Sequence, residues 1–136
     1  MSEASIRYAR TDDGETIGFV TVGSGAPMIW LTAAGISQAA LIERRYRAQL
    51  AEVGKHFLVV IVDGRGYGLS SREPADFSVG ARASDIQAVA NRLGFDRFHL
   101  FGHAHSSSPS IRYAAMNPDR VLSLVLSGPI VRGADV

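Results

Sequence analysis

The fold is decided by the stretch Leu58-Val59-Val60-Ile61-Val62, which runs directly into the loop Asp63-Gly64-Arg65-Gly66-Tyr67-Gly68-Leu69-Ser70. An uninterrupted run of β-branched and aliphatic residues predicts a strand that is covered on both faces, as in a parallel sheet. The glycines that follow predict a tight loop at the carboxyl end of that strand. Parallel strands need crossover helices, so the flanking sequence should alternate between strand and helix.

The flanking sequence does alternate. On the carboxyl side, Ser78 is positioned to cap a helix whose apolar residues recur at helical spacing as far as Leu93, with Gly94 just beyond it. The remaining predicted elements are strands at Phe98–Phe101 and Leu122–Leu126 with a helix around Pro109 between them, and, on the amino side, a hairpin of Ile6–Arg10 with Thr16–Val22, a strand at Met28–Thr32 and one helix over Ala39–Val53. We therefore expect an α/β fold in which an antiparallel hairpin precedes parallel strands, with helices on both faces of the sheet.

Composition narrows the class of protein. The chain has 136 residues, of which 46% are hydrophobic and 20% charged, and its formal net charge is +1. We expect one domain over residues 1–136, with neither nucleic acid nor an anionic membrane as its partner. The sequence contains no cysteine, which excludes disulfides and a thiol nucleophile. With no secretory signal pattern in the first fifteen residues, a cytoplasmic location is the default expectation.

The order of these elements and two of its motifs resemble the α/β-hydrolase fold superfamily. The motifs are the Asp63–Ser70 loop and the strand that enters Gly102-His103-Ala104-His105-Ser106, and the stretch Asn117–Val121 before an apolar strand fits as well. Within that superfamily, the sequence resembles in particular the hydrolase-like domains that are fused to bacterial cyclases and transcription regulators. The resemblance covers nearly the whole chain but implies only the N-terminal half of that fold.

The resemblance implies an active centre at residues 102–106, with one substitution. In that superfamily a G-x-S-x-G elbow lifts a serine hydroxyl above the sheet, in front of a helix N-terminus. Here Ala104 occupies the position of the nucleophile, and Ser106 replaces the second glycine. A methyl group cannot attack a carbonyl, so the usual acyl-enzyme route is closed at this position.

Four side chains around the elbow are candidate catalytic groups: Ser106, Ser107, His103 and His105. The serines lie at the start of a helix and the imidazoles flank the bend, so a serine could act as nucleophile with a local histidine base. The alternatives are helix capping for the serines and packing for the histidines. The resemblance places oxyanion donors at the peptide groups of Ala34 and His105.

The superfamily also implies a catalytic acid after a seventh strand and a histidine after an eighth, and neither has a counterpart here. His103 and His105 lack an acidic neighbour at ligand spacing, so we expect no metal. No phosphate-binding glycine fingerprint is present, so we expect no cofactor.

Two classes of function follow. The first is a weak or atypical ester hydrolase that acts on a small ester-like substrate. The second is a non-catalytic binding or interaction module, a hydrolase-derived pocket that keeps its ligand intact; an engineered serine-to-alanine change at Ala104 would look the same in sequence.

The last strand carries a further prediction. Leu122–Leu126 has no charge and no proline, and an edge of that kind templates pairing with another chain. We expect a homodimer, or a complementing chain, to associate through this edge.

Overall fold

The computed structural model describes residues 5–32 and 38–130. Its strands are β1 (Ile6–Arg10), β2 (Thr16–Gly23), β3 (Ala26–Leu31), β4 (Phe57–Val62), β5 (Phe98–His103) and β6 (Val121–Ser127). Its helices are α1 (Ala39–Arg45), α2 (Arg47–Val53), α3 (Val79–Leu93) and α4 (Ser107–Met116), with a 3₁₀ turn at Ala104–Ser106 between β5 and α4.

The strands form a single mixed sheet in the order β1-β2-β4-β3-β5-β6. The pairs β1–β2 and β2–β4 are antiparallel, whereas β3–β4, β3–β5 and β5–β6 are parallel. This confirms the predicted fold class, an antiparallel hairpin followed by parallel strands.

Helices cover both faces of the sheet, and alternation along the strands sends side chains to each. In β4, Val60 and Val62 belong to one core cluster, with the apolar side chains of α3 and α4, while Val59 and Ile61 belong to the other, with α1 and α2. These four residues are 2% exposed or less. The continuous apolar run at 58–62 therefore reflects burial on two sides, as its composition predicted.

The predicted single helix over Ala39–Val53 is wrong in one respect, because two helices meet at Tyr46. This residue has φ −110° and ψ 29°, outside the helical region. Hydrogen bonds nevertheless continue through it, since its peptide N–H donates to the Ile42 carbonyl and its own carbonyl accepts from Leu50 N–H at 2.8 Å. The irregularity is a local bend, and no turn residue in the sequence marks it.

The ends of α3 follow the predicted signals. Ser78 Oγ accepts a hydrogen bond from the peptide N–H of Ala81 at 3.2 Å, which is the N-cap contact. Gly94 ends the helix with φ +72°, a conformation that glycine adopts without the steric penalty of a Cβ.

The connections between the strands place a crevice at the carboxyl ends of β3 and β5. From β3 the chain crosses by α1 and α2 to β4 on one side, and from β5 it crosses by α4 to β6 on the other. Because β3 and β5 are neighbours, their carboxyl ends lie at the point where the winding reverses. Open α/β sheets bind ligands at such points.

Candidate functional site

A short bend at the carboxyl end of β5 joins this strand to α4. Strand β5 ends at His103, the 3₁₀ turn follows at once, and α4 begins at Ser107. Helix and strand approach closely at Gly102, where a Cβ would lie 2.9 Å from Ser110 Oγ. A residue larger than glycine would push α4 away from the strand.

Ala104 stands at the top of the bend in a strained conformation. Its φ is +50°, and among the described residues it is the one non-glycine with positive φ. An L-residue in this left-handed region costs roughly 1–2 kcal/mol, and such outliers cluster at functional sites. The residue is half-buried. That it stands where relatives carry a nucleophile, as the resemblance implies, stays a prediction.

The Ser106 hydroxyl braces the bend from inside. It accepts a hydrogen bond from His103 N–H at 2.7 Å and lies 2.7 Å from the Leu31 carbonyl, to which it donates. The residue is fully buried. Its partners are peptide groups of β3 and β5, so this hydroxyl ties the ends of two neighbouring strands together.

Ser107 and Ser108 differ from Ser106. Ser107 is fully buried, and its hydroxyl has no hydrogen-bond partner among the described residues. Ser108 Oγ donates to the Ile130 carbonyl at 2.9 Å, and Ile130 N–H donates to the Ala104 carbonyl at 3.3 Å. The segment after β6 thus returns to the bend and holds its outer side.

The two predicted imidazoles face different surroundings. His103 is half-buried and lines a cavity, whereas His105 is exposed. In the part of the chain that the structure describes, neither imidazole is hydrogen-bonded to the Ser106 or Ser107 hydroxyl. The carbonyl of His105 accepts a hydrogen bond from Arg82 at 2.9 Å. A catalytic role for these four side chains stays a prediction.

The cavity beside the bend has a volume of about 760 Å³. It lies between the α1–α2 pair and the sheet, and its walls are mostly apolar, with Trp30 and Phe101 from the sheet and Tyr67, His103 and Ser127 at the end near the bend. Trp30 and Phe101 pack edge to face with ring centroids 5.5 Å apart. Sequence reasoning missed these two aromatics, because they occupy ordinary strand positions.

Asp63, at the carboxyl end of β4, braces the loop that follows this strand. Its buried carboxylate accepts hydrogen bonds from Thr32 Oγ1 at 3.1 Å, Ala39 N–H at 2.8 Å and Leu69 N–H at 3.0 Å. Burial raises the pKa of this carboxyl above its ordinary value, and these hydrogen bonds oppose the rise. A Cβ at Gly68, where φ is +60°, would lie 2.2 Å from Asp63 Oδ2, so only glycine fits there.

Arg65 anchors the same loop and was not singled out from the sequence. Its fully buried guanidinium makes five side-chain hydrogen bonds, two of them to the Asp13 carboxylate at 2.7 and 3.1 Å and one to Asp85 at 2.9 Å. All five of its N–H donors are therefore occupied. Hydrogen bonds from Arg65 lower the pKa of Asp13 to about 2, whereas burial raises the pKa of Asp85 to about 6.

The predicted oxyanion position Ala34 lies outside the described residues. The other predicted donor, the peptide N–H of His105, belongs to the 3₁₀ turn that leads into α4. N–H groups in the first turn of a helix have no intrahelical partner, so they can face an anion or a carbonyl oxygen.

Two remaining histidines are remote from the bend. His56 is exposed before β4, and His99 Nδ1 lies 2.6 Å from Ser123 Oγ on the neighbouring strand. Within residues 5–32 and 38–130, no group of three or more histidine, aspartate or glutamate side chains is arranged to hold a metal ion. No helix in that same part is both long and apolar enough to span a bilayer.

Comparison with known proteins agrees with this geometry. The family model for the alpha/beta hydrolase fold matches residues 38–134, well over half of the chain. The chain belongs to the α/β-hydrolase fold family. It is 38% identical over 116 residues to a fluoroacetate dehalogenase from Burkholderia, a match that covers 82% of this chain and 36% of the dehalogenase. It is also 42% identical over 82 residues to an N-formylmaleamate deformylase from Pseudomonas putida, covering 60% of this chain and 31% of the deformylase.

A solved structure gives the same result for the fold. An epoxide hydrolase, CorEH, superposes with a TM-score of 0.82 at 26% identity, covering 95% of this α/β-hydrolase chain and 44% of the epoxide hydrolase. The chain thus spans less than half the length of each of these three relatives.

Proposed function

We propose that this α/β-hydrolase chain binds a small carbonyl compound, such as a short acyl ester, at the bend after β5 without forming an acyl-enzyme at position 104. The observation that carries the proposal is Ala104 itself. The chain keeps a strained backbone conformation there, with φ +50°, yet the side chain is a methyl group. A conformation that costs free energy, kept one residue from the cavity-lining His103, favours a ligand-contacting role for the backbone.

The cavity supports a ligand of this kind. Its volume of about 760 Å³ lies within the range of roughly 300–1,000 Å³ that is usual for small-molecule sites. Trp30 and Phe101 offer apolar surface for an acyl chain, and His103 and Ser127 supply polar groups at the end near the bend. The His105 peptide N–H is the group that would donate to the carbonyl oxygen of the ligand.

The names of the relatives point the same way. One is named for fluoroacetate, which carries a carboxylate, and another for N-formylmaleamate, which carries amide and carboxylate groups. We also propose, from the resemblance of the Gly102–Ser106 region and the Asn117–Val121 stretch, that the chain is of the kind fused to bacterial cyclases and transcription regulators. A retained site without a nucleophile suits a sensing role in such an assembly.

Weak ester hydrolysis is the second candidate, and one observation favours it. The His103 imidazole lines the cavity next to Ala104, where it can take a proton from a water molecule. That water would attack the ester carbonyl, the bond to the alkoxy group would break, and the imidazolium would return its proton to the departing alcohol. Ser106 and Ser107 stay candidate nucleophiles, although both hydroxyls are buried.

Calorimetric titration with a methyl ketone of six to eight carbons tests the binding proposal, because a ketone offers the carbonyl without a leaving group. We expect saturable binding with a Kd of about 0.1–1 mM, weakened about tenfold by Phe101→Ala through lost apolar contact. Tyr8→Ala is the matched control, since Tyr8 is an exposed strand aromatic of β1. Absence of saturable binding, or equal weakening by both variants, would overturn the proposal.

Release of 4-nitrophenol from 4-nitrophenyl acetate separates the two candidates. If His103 acts as a base, His103→Ala should lower the rate about 100-fold. A rate above background that is unchanged in this variant would exclude the hydrolytic mechanism and leave the binding proposal standing.

A further inference from the structure

A second cavity, with a volume of about 290 Å³, lies between the end of β1 and helix α3, and we call it the hairpin–helix cavity. Its walls come from residues 10–12 and 84–92, at the β1 side of the sheet, and β6 takes no part in it. The α3 residues that line it recur at helical spacing and so share one face of the helix: Ser84, Gln87, Ala88, Asn91 and Arg92.

The two walls of the hairpin–helix cavity are connected through the Arg65 side chain. On the hairpin wall, Thr11 Oγ1 donates to the Asp13 carboxylate at 2.5 Å, and that carboxylate accepts two hydrogen bonds from Arg65 at 2.7 and 3.1 Å. On the helix wall, Ser84 Oγ accepts from the same guanidinium at 3.2 Å. Arg65 is fully buried and Thr11 is 5% exposed. The cavity is therefore formed in advance of any ligand, which lowers the entropic cost of binding.

The amide side chains of the helix wall have occupied oxygens and free hydrogens. Gln87 Oε1 accepts from the Tyr113 hydroxyl at 2.7 Å, and Asn91 Oδ1 accepts from Gln87 Nε2 at 3.0 Å and from Arg120 Nη1 at 3.2 Å. Because a guanidinium can only donate, Asn91 must turn its oxygen toward Arg120, which leaves its NH₂ group as a donor. This wall can therefore donate hydrogen bonds to a ligand but has little capacity to accept them.

Each wall also carries an unpaired cation, Arg10 on the hairpin and Arg92 on the helix. In the part of the chain that the structure describes, neither guanidinium makes a hydrogen bond or an ion pair. Asp12 is the one acidic side chain among the described lining residues, so the lining has a net positive charge. The planar set of N–H donors on a guanidinium matches the paired oxygens of a carboxylate or a phosphate.

We propose that the hairpin–helix cavity binds a small dianion, a phosphate monoester or a dicarboxylate, between the guanidinium groups of Arg10 and Arg92. The NH₂ group of Asn91 donates to the same ligand. A ligand whose negative charge is spread over several oxygens satisfies donors on both walls at once. The inference does not depend on the carbonyl ligand proposed at the bend, because the two cavities share no lining residue.

A titration of the chain followed by heteronuclear NMR tests the proposal, with glycerol phosphate and succinate as the two dianionic probes. We expect saturable shifts of the backbone N–H signals of residues 10–12 and 84–92, with a Kd of about 1 mM for the better probe. Acetate has a single charge and cannot engage both guanidinium groups, so it should bind at least about fivefold more weakly. The tighter of the two probes identifies the phosphate or the dicarboxylate class. Shifts that do not saturate, or equal affinity for acetate, would overturn the proposal.

Single substitutions separate the hairpin–helix cavity from a general attraction between anions and arginines. Arg10→Gln and Arg92→Gln should each weaken binding of the better probe about fivefold. Arg44→Gln is the matched control, since Arg44 is an exposed arginine of α1, on the opposite face of the sheet from α3, and its loss should leave the Kd unchanged. Asp12→Asn should tighten binding about threefold, because it removes the negative charge from the lining. Equal weakening by Arg44→Gln and Arg92→Gln, or weaker binding by Asp12→Asn, would contradict the proposed site.

Discussion

The loop after β4 and the bend after β5 lie at the carboxyl ends of strands that both pair with β3. They differ in whether their polar groups are buried and hydrogen-bonded. The loop after β4 directs nearly all of them inward: Asp63, Arg65 and Ser70 are all at most 5% exposed and hydrogen-bonded to surrounding chain. The bend after β5 holds a strained alanine and an exposed imidazole, and Ser107 has no hydrogen-bond partner among the described residues. The polar groups of the glycine loop therefore stabilise the fold. The bend, with its strained backbone and its unpartnered hydroxyl, is where we propose that a ligand binds.

The largest expected effect is on the side of the loop. Arg65→Ala removes all five hydrogen bonds of the guanidinium and leaves the buried Asp85 carboxylate without its cationic partner, although the peptide N–H of residue 65 still donates to it. Breaking a buried ion pair in this way costs about 3–5 kcal/mol. Urea denaturation should show a loss of that size, or an unfolded chain.

The control for this prediction is Arg82, a residue of α3 that contacts the bend. Arg82 donates one hydrogen bond to the His105 carbonyl and stacks on Phe77 at 5.1 Å. Arg82→Ala should cost less than about 1 kcal/mol, since the contact is largely exposed. Arg65→Lys keeps the positive charge but lacks the planar, branched set of N–H donors. Its loss of unfolding free energy should fall between those of Arg65→Ala and Arg82→Ala. If Arg65→Ala and Arg82→Ala have equal effects, the contrast between loop and bend is not real.

The next effect is a pH dependence that the loop should impose. Burial raises the pKa of Asp85 from 3.8 to about 6 in the folded chain. The folded state then binds this proton more tightly than the unfolded state, so the stabilisation present below pH 3.8 is lost as the pH rises toward 6. The expected decrease in unfolding free energy between pH 4 and 7 is on the order of 2 kcal/mol.

Asp13 acts in the opposite sense at lower pH. Its pKa is lowered from 3.8 to about 2 by Arg65, so its contribution is present above pH 3.8 and is lost as the pH falls toward 2. Denaturation of the unchanged chain and of Asp85→Asn at pH 4, 5.5 and 7 isolates the effect of Asp85, because Asp13 titrates below this range. The difference between the curves should shrink as the pH rises; parallel curves would mean that Asp85 does not titrate in this range.

The sequence predicts the loop better than the bend, for a physical reason. Glycine at Gly68 and the apolar run of β4 are local signals: one reports a positive φ and the other reports burial on two faces. The two carboxylate partners of Arg65 are 52 and 20 residues away, at Asp13 and Asp85. A charged residue that pairs over such separations looks like any surface charge in sequence.

At the bend, the element types were predictable and the roles of side chains were not. Pattern predicted the strand before Ala104 and the helix after it, and the resemblance to the α/β-hydrolase superfamily implied the turn between them. Whether the Ser106 hydroxyl faces a ligand or the Leu31 carbonyl depends on how closely β3 approaches β5. That distance is set by tertiary packing. The sequence alone therefore left open whether Ser106 is a nucleophile or a structural hydroxyl that braces the bend.

A pair of serine substitutions makes this distinction measurable. Ser106→Ala leaves the His103 N–H and the Leu31 carbonyl without the hydroxyl that joins them, and should cost about 1–2 kcal/mol. Ser107→Ala removes a buried hydroxyl that has no partner in the described part of the chain, and should be neutral or slightly stabilising. Equal losses in the two variants, measured by thermal denaturation, would show that the two serines do not differ as described.

The smallest predicted effect bears on the backbone at the top of the bend. Ala104→Gly removes the Cβ from a residue with φ +50°, and the relief should raise the unfolding free energy by about 1 kcal/mol. The same change at Ala115, an exposed position in α4, should lower it by up to about 1 kcal/mol, because glycine is a poor helix former. A gain in unfolding free energy at Ala104 and a loss at Ala115 cannot both arise from a general effect of glycine. If both variants lose stability, Ala104 does not hold the left-handed conformation in solution, and the proposed ligand site loses the strained backbone on which it depends.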